Sequence, residues 1–104
     1  MKPIALLIKA RSADTPAALR YANALLRSGN PPVNVFFFGA AVCQAQEPIQ
    51  DDWRKLRRTS GVSLTLCSAS AEKFGILSDA DFDIGGLGEL ITNGVHDTRV
   101  VSFG

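Results

Sequence analysis

Two cysteines and one histidine carry the most reactive chemistry in this 104-residue sequence. Cys43 and Cys67 form no Cys-x-x-Cys pair, and neither clusters with His96 along the chain. A zinc site of protein ligands needs such clusters, so the sequence predicts no metal site, and no motif for another cofactor stands out. A cysteine thiolate acting as a nucleophile is the chemistry that these residue types favour.

Cys67 has the setting of a reactive thiol. It ends the alternating segment 62–67 (VSLTLC), which predicts a strand, and residues 68–74 followed by Gly75 predict a short helix. A sulfur between a strand and a helix faces unpaired backbone N–H groups, which lower the pKa of a thiol. The small residues 68–71 (SASA) leave room for an incoming sulfur donor. The alternative is a buried cysteine that only fills the core.

Three further residues are auxiliary candidates: Cys43, His96 and Ser68. Cys43 lies in segment 39–50 (GAAVCQAQEPIQ), which lacks periodicity and predicts a mobile loop that covers Cys67 as a flap. In that position Cys43 would resolve an oxidised or persulfidated Cys67, or it is an incidental loop thiol. His96 precedes the last strand and titrates near neutrality, which suits an acid/base role, although a turn histidine bonded to Asp97 is the alternative. Ser68 directly follows Cys67.

Three other segments point more weakly to function. Residues 54–58 (RKLRR) form a basic run, which is typical of a solvated helix face. Residues 85–88 (GGLG) lack the Lys-Ser/Thr of a phosphate-binding loop and predict a tight turn into a helix. Residues 11–15 (RSADT) offer hydroxyls but no glycine, which leaves a small-ligand or nucleotide module as a further alternative.

Alternating strands and helices position these residues. The predicted strands are 4–8, 33–38, 62–67 and 99–103, and the predicted helices begin at residues 15, 51, 68 and 86, while 78–85 shows no clear preference. The connections are too long for hairpins. The pattern therefore predicts an α/β three-layer sandwich, with a central, mostly parallel sheet of four to five strands and helices on both faces. Reactive groups gather at the carboxyl ends of such strands, which would bring Cys43 and Cys67 to one edge.

Composition narrows the class of protein. The chain is 46% hydrophobic and 20% charged, and its 11 basic and 10 acidic residues give a net charge of +1, so direct contact with nucleic acid is not expected. The longest apolar run, residues 35–43, is about half the length of a membrane span. The apolar stretch at the start is too short for a signal peptide. Together with two separated cysteines, these features predict a single domain, residues 1–104, in the cytoplasm.

The sequence resembles the DsrE-like family of sulfur-relay proteins, and within that family the TusD-type sulfurtransferase subunits. The resemblance lies mainly in segments 61–71 (GVSLTLCSASA), 75–76 (GI), 86–90 (GLGEL) and 99–103 (RVVSF). The segments that contain Cys67 and 86–88 are the most specific. The N-terminal half matches more loosely, through its first strand, its alanine-rich helix and the run of phenylalanines in its second strand.

This resemblance implies a persulfide carrier. The cysteine at the position of Cys67 would accept a sulfane sulfur and pass it to a cysteine of a partner protein. The implied partners are sulfur-donor and sulfur-acceptor proteins, together with copies or related subunits in a homo-oligomer or hetero-oligomer. Lys73 and Phe74 stand where the family often has two arginines, and Asp97 stands where it often has a cysteine. The alternative is a non-catalytic oligomeric subunit or a small-ligand-binding module of the same fold.

Overall fold

The computed structural model describes residues 4–9, 15–46, 48–85 and 99–103. Strands and helices alternate through these parts of the chain. Their order is β1 (Ile4–Ile8), α1 (Thr15–Arg27), β2 (Asn34–Phe37), a 3₁₀ segment (Gly39–Ala45), α2 (Gln50–Ser60), β3 (Ser63–Cys67), α3 (Ser68–Phe74), β4 (Phe82–Gly85) and β5 (Arg99–Phe103).

The five described strands form one sheet in the order β4-β3-β2-β1-β5, and every neighbouring pair is parallel. The predicted α/β sandwich with a parallel central sheet is therefore confirmed. Because all strands run the same way, their carboxyl ends lie at one edge. The pairing even extends past the strand ends, where the Phe38 N–H donates to the carbonyl of Ile8 at 2.8 Å.

The face of the sheet beneath α2 is built from aromatic and aliphatic side chains. The Phe37 ring contacts the Trp53 ring edge-on, with centroids 5.3 Å apart, and both side chains are fully buried. Phe37 pairs with Leu66 across the sheet, so Leu66 lies on this same face. Cys67, the next residue, therefore belongs to the opposite face, as the alternation in the sequence predicts.

Two glycines end helices where the sequence predicts them. Gly61 follows α2 with φ 78°, and Gly75 follows α3 with φ 69°, both in the left-handed region that glycine adopts without strain. Gly75 donates its N–H back to the carbonyl of Glu72, which closes the last turn of α3. The short α3 is thus bounded on both sides, and Cys67 lies at its start.

The prediction that residues 39–50 form an irregular loop is wrong for the first part of this segment. Residues 39–45 form the 3₁₀ segment, and its last five residues are buried. Val42 joins the core, and fully buried Gln44 accepts a hydrogen bond from the Trp53 indole at 3.0 Å. A 3₁₀ turn has three residues instead of 3.6, so its apolar residues do not show the α-helical period in the sequence.

The structure also supplies a strand that the sequence left undefined. β4 has only four residues, and Asp83 in its middle interrupts any apolar pattern. Fully buried Phe82 nevertheless anchors it, because its ring contacts Phe37 with centroids 5.8 Å apart.

The helix predicted from residue 86 lies outside the described residues. No described helix is long and apolar enough to cross a membrane.

The basic run on α2 is only in part the solvated face that the sequence predicts, because Lys55 and Arg58 are exposed whereas Arg54 is held by ion pairs. Arg54 donates to Asp79 at 2.7 Å and to Asp81 at 3.0 Å, and its guanidinium lies 4.9 Å from the centroid of the Phe82 ring. Arg58 also donates to Asp81, at 2.9 Å. These contacts tie α2 to the segment that leads into β4. The acidic partners are more than 20 residues away in the sequence, which is why local charge patterning does not find them.

Replacing Arg54 should destabilise the fold more than replacing its neighbour Lys55. Arg54→Met removes ion pairs with two carboxylates and the contact with Phe82, so we expect the free energy of unfolding to fall by about 1 to 3 kcal/mol. Lys55→Met, on the exposed side of the same helix, should change it by less than about 0.5 kcal/mol. Urea unfolding measures both, and equal effects would contradict a stabilising role for Arg54.

The Arg54 effect should also depend on pH. Hydrogen bonding from Arg54 holds the pKa of Asp79 and of Asp81 below the ordinary carboxylate value. Their contribution to stability is therefore complete above about pH 4 and is lost as the pH falls through the lowered folded-state pKa. The difference between wild type and Arg54→Met should shrink in strong acid.

Candidate functional site

Cys67 is both the last residue of β3 and the residue that precedes the first turn of α3. Its backbone is extended (φ −59°, ψ 125°), so the chain leaves the strand and enters the helix at this residue. The residue is 5% exposed, and its thiol is free. The predicted position between strand end and helix start is therefore the position observed.

The pKa of the Cys67 thiol lies below its ordinary value. Burial is the largest single influence and raises the pKa, because it disfavours the charged thiolate. Hydrogen bonding to the sulfur from the Ser70 hydroxyl, and from the backbone N–H groups of Ser70 and Ala69, together outweighs burial. No side-chain capping hydrogen bond forms at this sulfur, so these groups act on it as nearby donors. The site favours a thiolate.

A cation does not contribute to this lowered pKa among the described residues. Lys73, in the last turn of α3, has its ammonium nitrogen 5.8 Å from the centroid of the Phe74 ring. The groups that lower the pKa of Cys67 are all hydrogen-bond donors of the first turn of the same helix. Stabilisation of the thiolate therefore depends on how those donors are oriented.

Ser70 is the site residue that the sequence analysis missed. Its hydroxyl oxygen accepts a hydrogen bond from the N–H of Gly39 at 2.9 Å, which joins the 3₁₀ segment to α3. The signal for it was present, because Ser70 is the third residue of a helix whose cap is Cys67, and third-position polar side chains reach back toward the cap. The spacing Cys-x-x-Ser therefore places a hydroxyl beside the sulfur.

The auxiliary candidates have different outcomes. Cys43 is a free thiol, 8% exposed, in the 3₁₀ segment, and that segment packs against α3. The structure thus brings together the two elements that carry the cysteines, while their chemical cooperation stays a prediction. Ser68 is exposed at the first position of α3 and is not among the groups that shift the pKa of Cys67. His96 lies outside the described residues, as do residues 86–88.

The described residues offer no group of three or more His, Cys, Asp or Glu side chains placed to hold a metal ion. A cavity of about 450 Å³ lies between the start of α2 and the segment that follows α3. Gln50, Arg54 and Asp79 line it, together with Ile76 and Leu77, but Cys67 does not. The cavity is therefore separate from the thiol, and the candidate site is Cys67 with the donors around it.

A parallel sheet flanked by helices, with a buried free cysteine at the end of a strand, defines a class of α/β proteins. Within that class, the chain belongs to the DsrE/DsrF-like family, whose model matches residues 2–103. The sulfurtransferase TusD of Salmonella arizonae is 32% identical over 110 residues, covering 84% of this chain and 86% of the relative. TusD of Salmonella paratyphi B is 31% identical with the same coverage. The 110 aligned positions exceed the 104 residues of this chain, so the alignment contains gaps in it.

A solved structure supports the same fold. The crystal structure of the YchN protein from E. coli superposes with a TM-score of 0.79, covering 99% of this chain and 100% of that one. The two sequences are 22% identical, so this likeness bears on the architecture alone.

The lowered pKa of Cys67 predicts that its alkylation begins at lower pH than that of an ordinary thiol. In a Cys43→Ser background, the iodoacetamide rate as a function of pH should have its midpoint below about 8.5, the value for a free cysteine. The pH midpoint of alkylation is compared, and not its absolute rate, because burial of Cys67 slows alkylation at every pH without moving the midpoint. The urea-unfolded chain is the control, and the same midpoint in folded and unfolded protein would contradict a stabilised thiolate.

Proposed function

We propose that this protein is a sulfurtransferase of the TusD type that carries a persulfide on Cys67 and passes the sulfur to a cysteine of a partner protein. The observation that carries the proposal is the place of Cys67 between the end of β3 and the start of α3, where donors of the first helical turn hold its pKa below the ordinary value despite burial. The relatives named sulfurtransferase TusD support a role in sulfur relay. A thiolate at neutral pH is the species that attacks a sulfane sulfur.

Loading is a displacement at the outer sulfur of a donor persulfide. The Cys67 thiolate attacks the terminal sulfur of R–S–SH, the donor S–S bond breaks, and the donor leaves as the thiolate R–S⁻. Cys67 then holds Cys–S–SH. One S–S bond forms and one breaks, so no external oxidant or reductant is consumed.

Unloading repeats the same step in the opposite sense. A thiolate of the acceptor protein attacks the outer sulfur of the Cys67 persulfide, and the Cys67 thiolate leaves. A low thiol pKa favours this step too, because the better-stabilised thiolate is the better leaving group. The donors around Cys67 therefore serve both halves of the relay.

The alternative function is a non-catalytic subunit in which Cys67 only fills the core. The 5% exposure of Cys67 and its contacts with the core favour this alternative. A core-filling cysteine gains nothing from donors aimed at its sulfur, whereas a carrier does, and this difference favours the relay. A small-ligand module at residues 11–15 remains a further alternative.

The proposal extends to partners and place of action. The partners are a protein that donates a persulfide sulfur, a protein that accepts it, and copies or related subunits in an oligomer. We place the relay in the cytoplasm, where a single domain with unpaired thiols stays reduced. Ser68, the first residue of α3, stays a prediction as an auxiliary site residue, and His96 as an acid/base partner.

Intact-protein mass spectrometry after incubation with glutathione persulfide tests the central step. We expect a gain of one sulfur atom that a reductant removes. The gain should persist in Cys43→Ser and disappear in Cys67→Ser, because Cys67 is the residue that carries the persulfide in this proposal and has donors that stabilise its thiolate. A folded wild-type protein that gains no sulfur would support the non-catalytic subunit instead.

The proposed role of Cys43 has a separate test. If Cys43 resolves the loaded site, its thiolate attacks the inner sulfur of the Cys67 persulfide, forms a Cys43–Cys67 disulfide and releases hydrosulfide. Loaded wild-type protein should then lose its extra sulfur over time and gain an internal disulfide, detected by peptide mapping, while loaded Cys43→Ser keeps its persulfide. Equal persistence of the persulfide in both proteins would show that Cys43 is a bystander.

A further inference from the structure

We infer that Ser70 is the positioning residue of the Cys67 sulfur, and that the backbone of Gly39 holds the Ser70 hydroxyl in the orientation this role requires. This inference deepens the proposed function and rests on it for its meaning in sulfur transfer. The geometry that supports it is the place of Ser70 in the first turn of α3, three residues after Cys67, and its hydrogen bond with the turn that follows β2.

The first part of this geometry is the place of Ser70 in α3. Cys67 caps the helix, and Ser70 is its third residue. A side chain at the third position reaches back toward the cap, which is the arrangement that lets Glu or Gln bond to a capping serine. Here the cap carries a sulfur and the third position carries a hydroxyl. The helix itself therefore brings the Ser70 oxygen to the same side as the thiol.

The second part is the contact that holds Ser70 from the other side. The Gly39 N–H donates to the Ser70 oxygen at 2.9 Å, between residues 31 positions apart in the sequence. Gly39 has φ 63°, in the left-handed region, so the chain turns sharply after β2 and presents this N–H to α3. The contact is partly buried, so water competes for it less than on an open surface.

A serine hydroxyl can form only a few hydrogen bonds, and this limit determines what it can still offer to the Cys67 sulfur. A hydroxyl has one donor and two acceptor sites, and the N–H of Gly39 occupies an acceptor site. The O–H is thus left to donate, and a thiolate accepts a hydrogen bond better than a thiol does. Accepting a bond from Gly39 also polarises the hydroxyl, which strengthens the bond that it donates. The Ser70 hydroxyl therefore favours the charged form of Cys67.

The same hydroxyl suits the loaded state. A persulfide anion still needs a donor near Cys67, and Ser70 is held by a backbone group that loading does not alter. Because Gly39 also begins the 3₁₀ segment, any movement of that segment would change the orientation of the hydroxyl. Ser70 thus links the position of the 3₁₀ segment to the reactivity of the thiol.

A purely structural role for Ser70 predicts a different result, and the pKa of the Cys67 thiol distinguishes that role from a positioning role. If Ser70 only ties the 3₁₀ segment to α3, its loss lowers stability but leaves the Cys67 pKa unchanged. If it positions and stabilises the sulfur, its loss raises that pKa. The test uses the full chain in a Cys43→Ser background, so that Cys67 is the sole thiol, and follows the rate of iodoacetamide alkylation against pH.

We expect Ser70→Ala to move the alkylation midpoint upward by roughly half to one pH unit, which lowers the thiolate fraction about three- to tenfold at neutral pH. Ser70→Thr keeps the hydroxyl and should restore the wild-type midpoint. Ser78→Ala removes an exposed hydroxyl outside α3 and should leave the midpoint unchanged. A folded Ser70→Ala with the wild-type midpoint would overturn the inference, as would a failure of threonine to restore it.

A second measurement needs no Ser70 variant and decides the matter if Ser70→Ala does not fold. Ionisation of Cys67 places a charge near the Ser70 hydroxyl. Because the Gly39 N–H donates to this hydroxyl, its chemical shift should change as Cys67 ionises. The Gly39 amide resonance should therefore titrate with the alkylation midpoint of Cys67 in Cys43→Ser protein, and it should not titrate in Cys67→Ser. A Gly39 amide that stays constant while Cys67 ionises would overturn the inference.

Both measurements are independent of sulfur transfer, because neither uses a sulfur donor. If Ser70→Ala raises the midpoint while the wild type gains no sulfur, the positioning role stands and the proposed function fails. If the wild type gains sulfur and Ser70→Ala keeps the wild-type midpoint, the function stands and the positioning role fails.

Discussion

The parallel pairing of β2 with β3 is the constraint on which the site depends. Phe37, the last residue of β2, pairs with Leu66, the residue just before the end of β3. Because the two strands run in the same direction, the turn at Gly39 and the start of α3 at Cys67 emerge side by side. An antiparallel pairing would place them at opposite ends. The hydrogen bond from Gly39 to Ser70 is a direct consequence of this register.

The core fixes the register that the site uses. Trp53, Phe37 and Phe82 fill the space between α2 and the sheet, and a shift of one residue would turn Phe37 to the other face. The same shift would move Gly39 away from Ser70, because these two residues are 31 positions apart in the sequence and are brought together by the sheet. Burial of large aromatic side chains on one face therefore helps to set the contact between the turn after β2 and α3. Stability and site geometry are properties of the same residues.

The sequence predicts features that depend on neighbours along the chain and misses those that depend on distant ones. The strand that ends at Cys67, the helix after it and the glycine at position 75 are all local, and the structure confirms them. The 3₁₀ segment is buried through contacts such as Gln44 with Trp53, which no local pattern reveals. The pairing of Arg54 with Asp79 is missed for the same reason.

The features of the candidate site also differ in whether they depend on nearby or on distant parts of the sequence. Cys67 could be selected from the sequence because a thiol between a strand and a helix meets backbone N–H groups whatever the rest of the fold does. Ser70 could have been selected from its spacing in the helix. Its contact with Gly39 could not, because it joins residues that only the sheet brings together.

In the proposed sulfur relay, the burial of Cys67 places different demands on loading and on unloading. At 5% exposure the empty thiolate is largely shielded from solvent, so a donor must bring its sulfur close to the buried sulfur of Cys67. The outer sulfur of a persulfide would extend about 2 Å beyond the Cys67 sulfur, the length of an S–S bond. An acceptor would attack that outer sulfur and would not have to reach Cys67 itself. Burial of the carrier sulfur is therefore compatible with the proposed transfer.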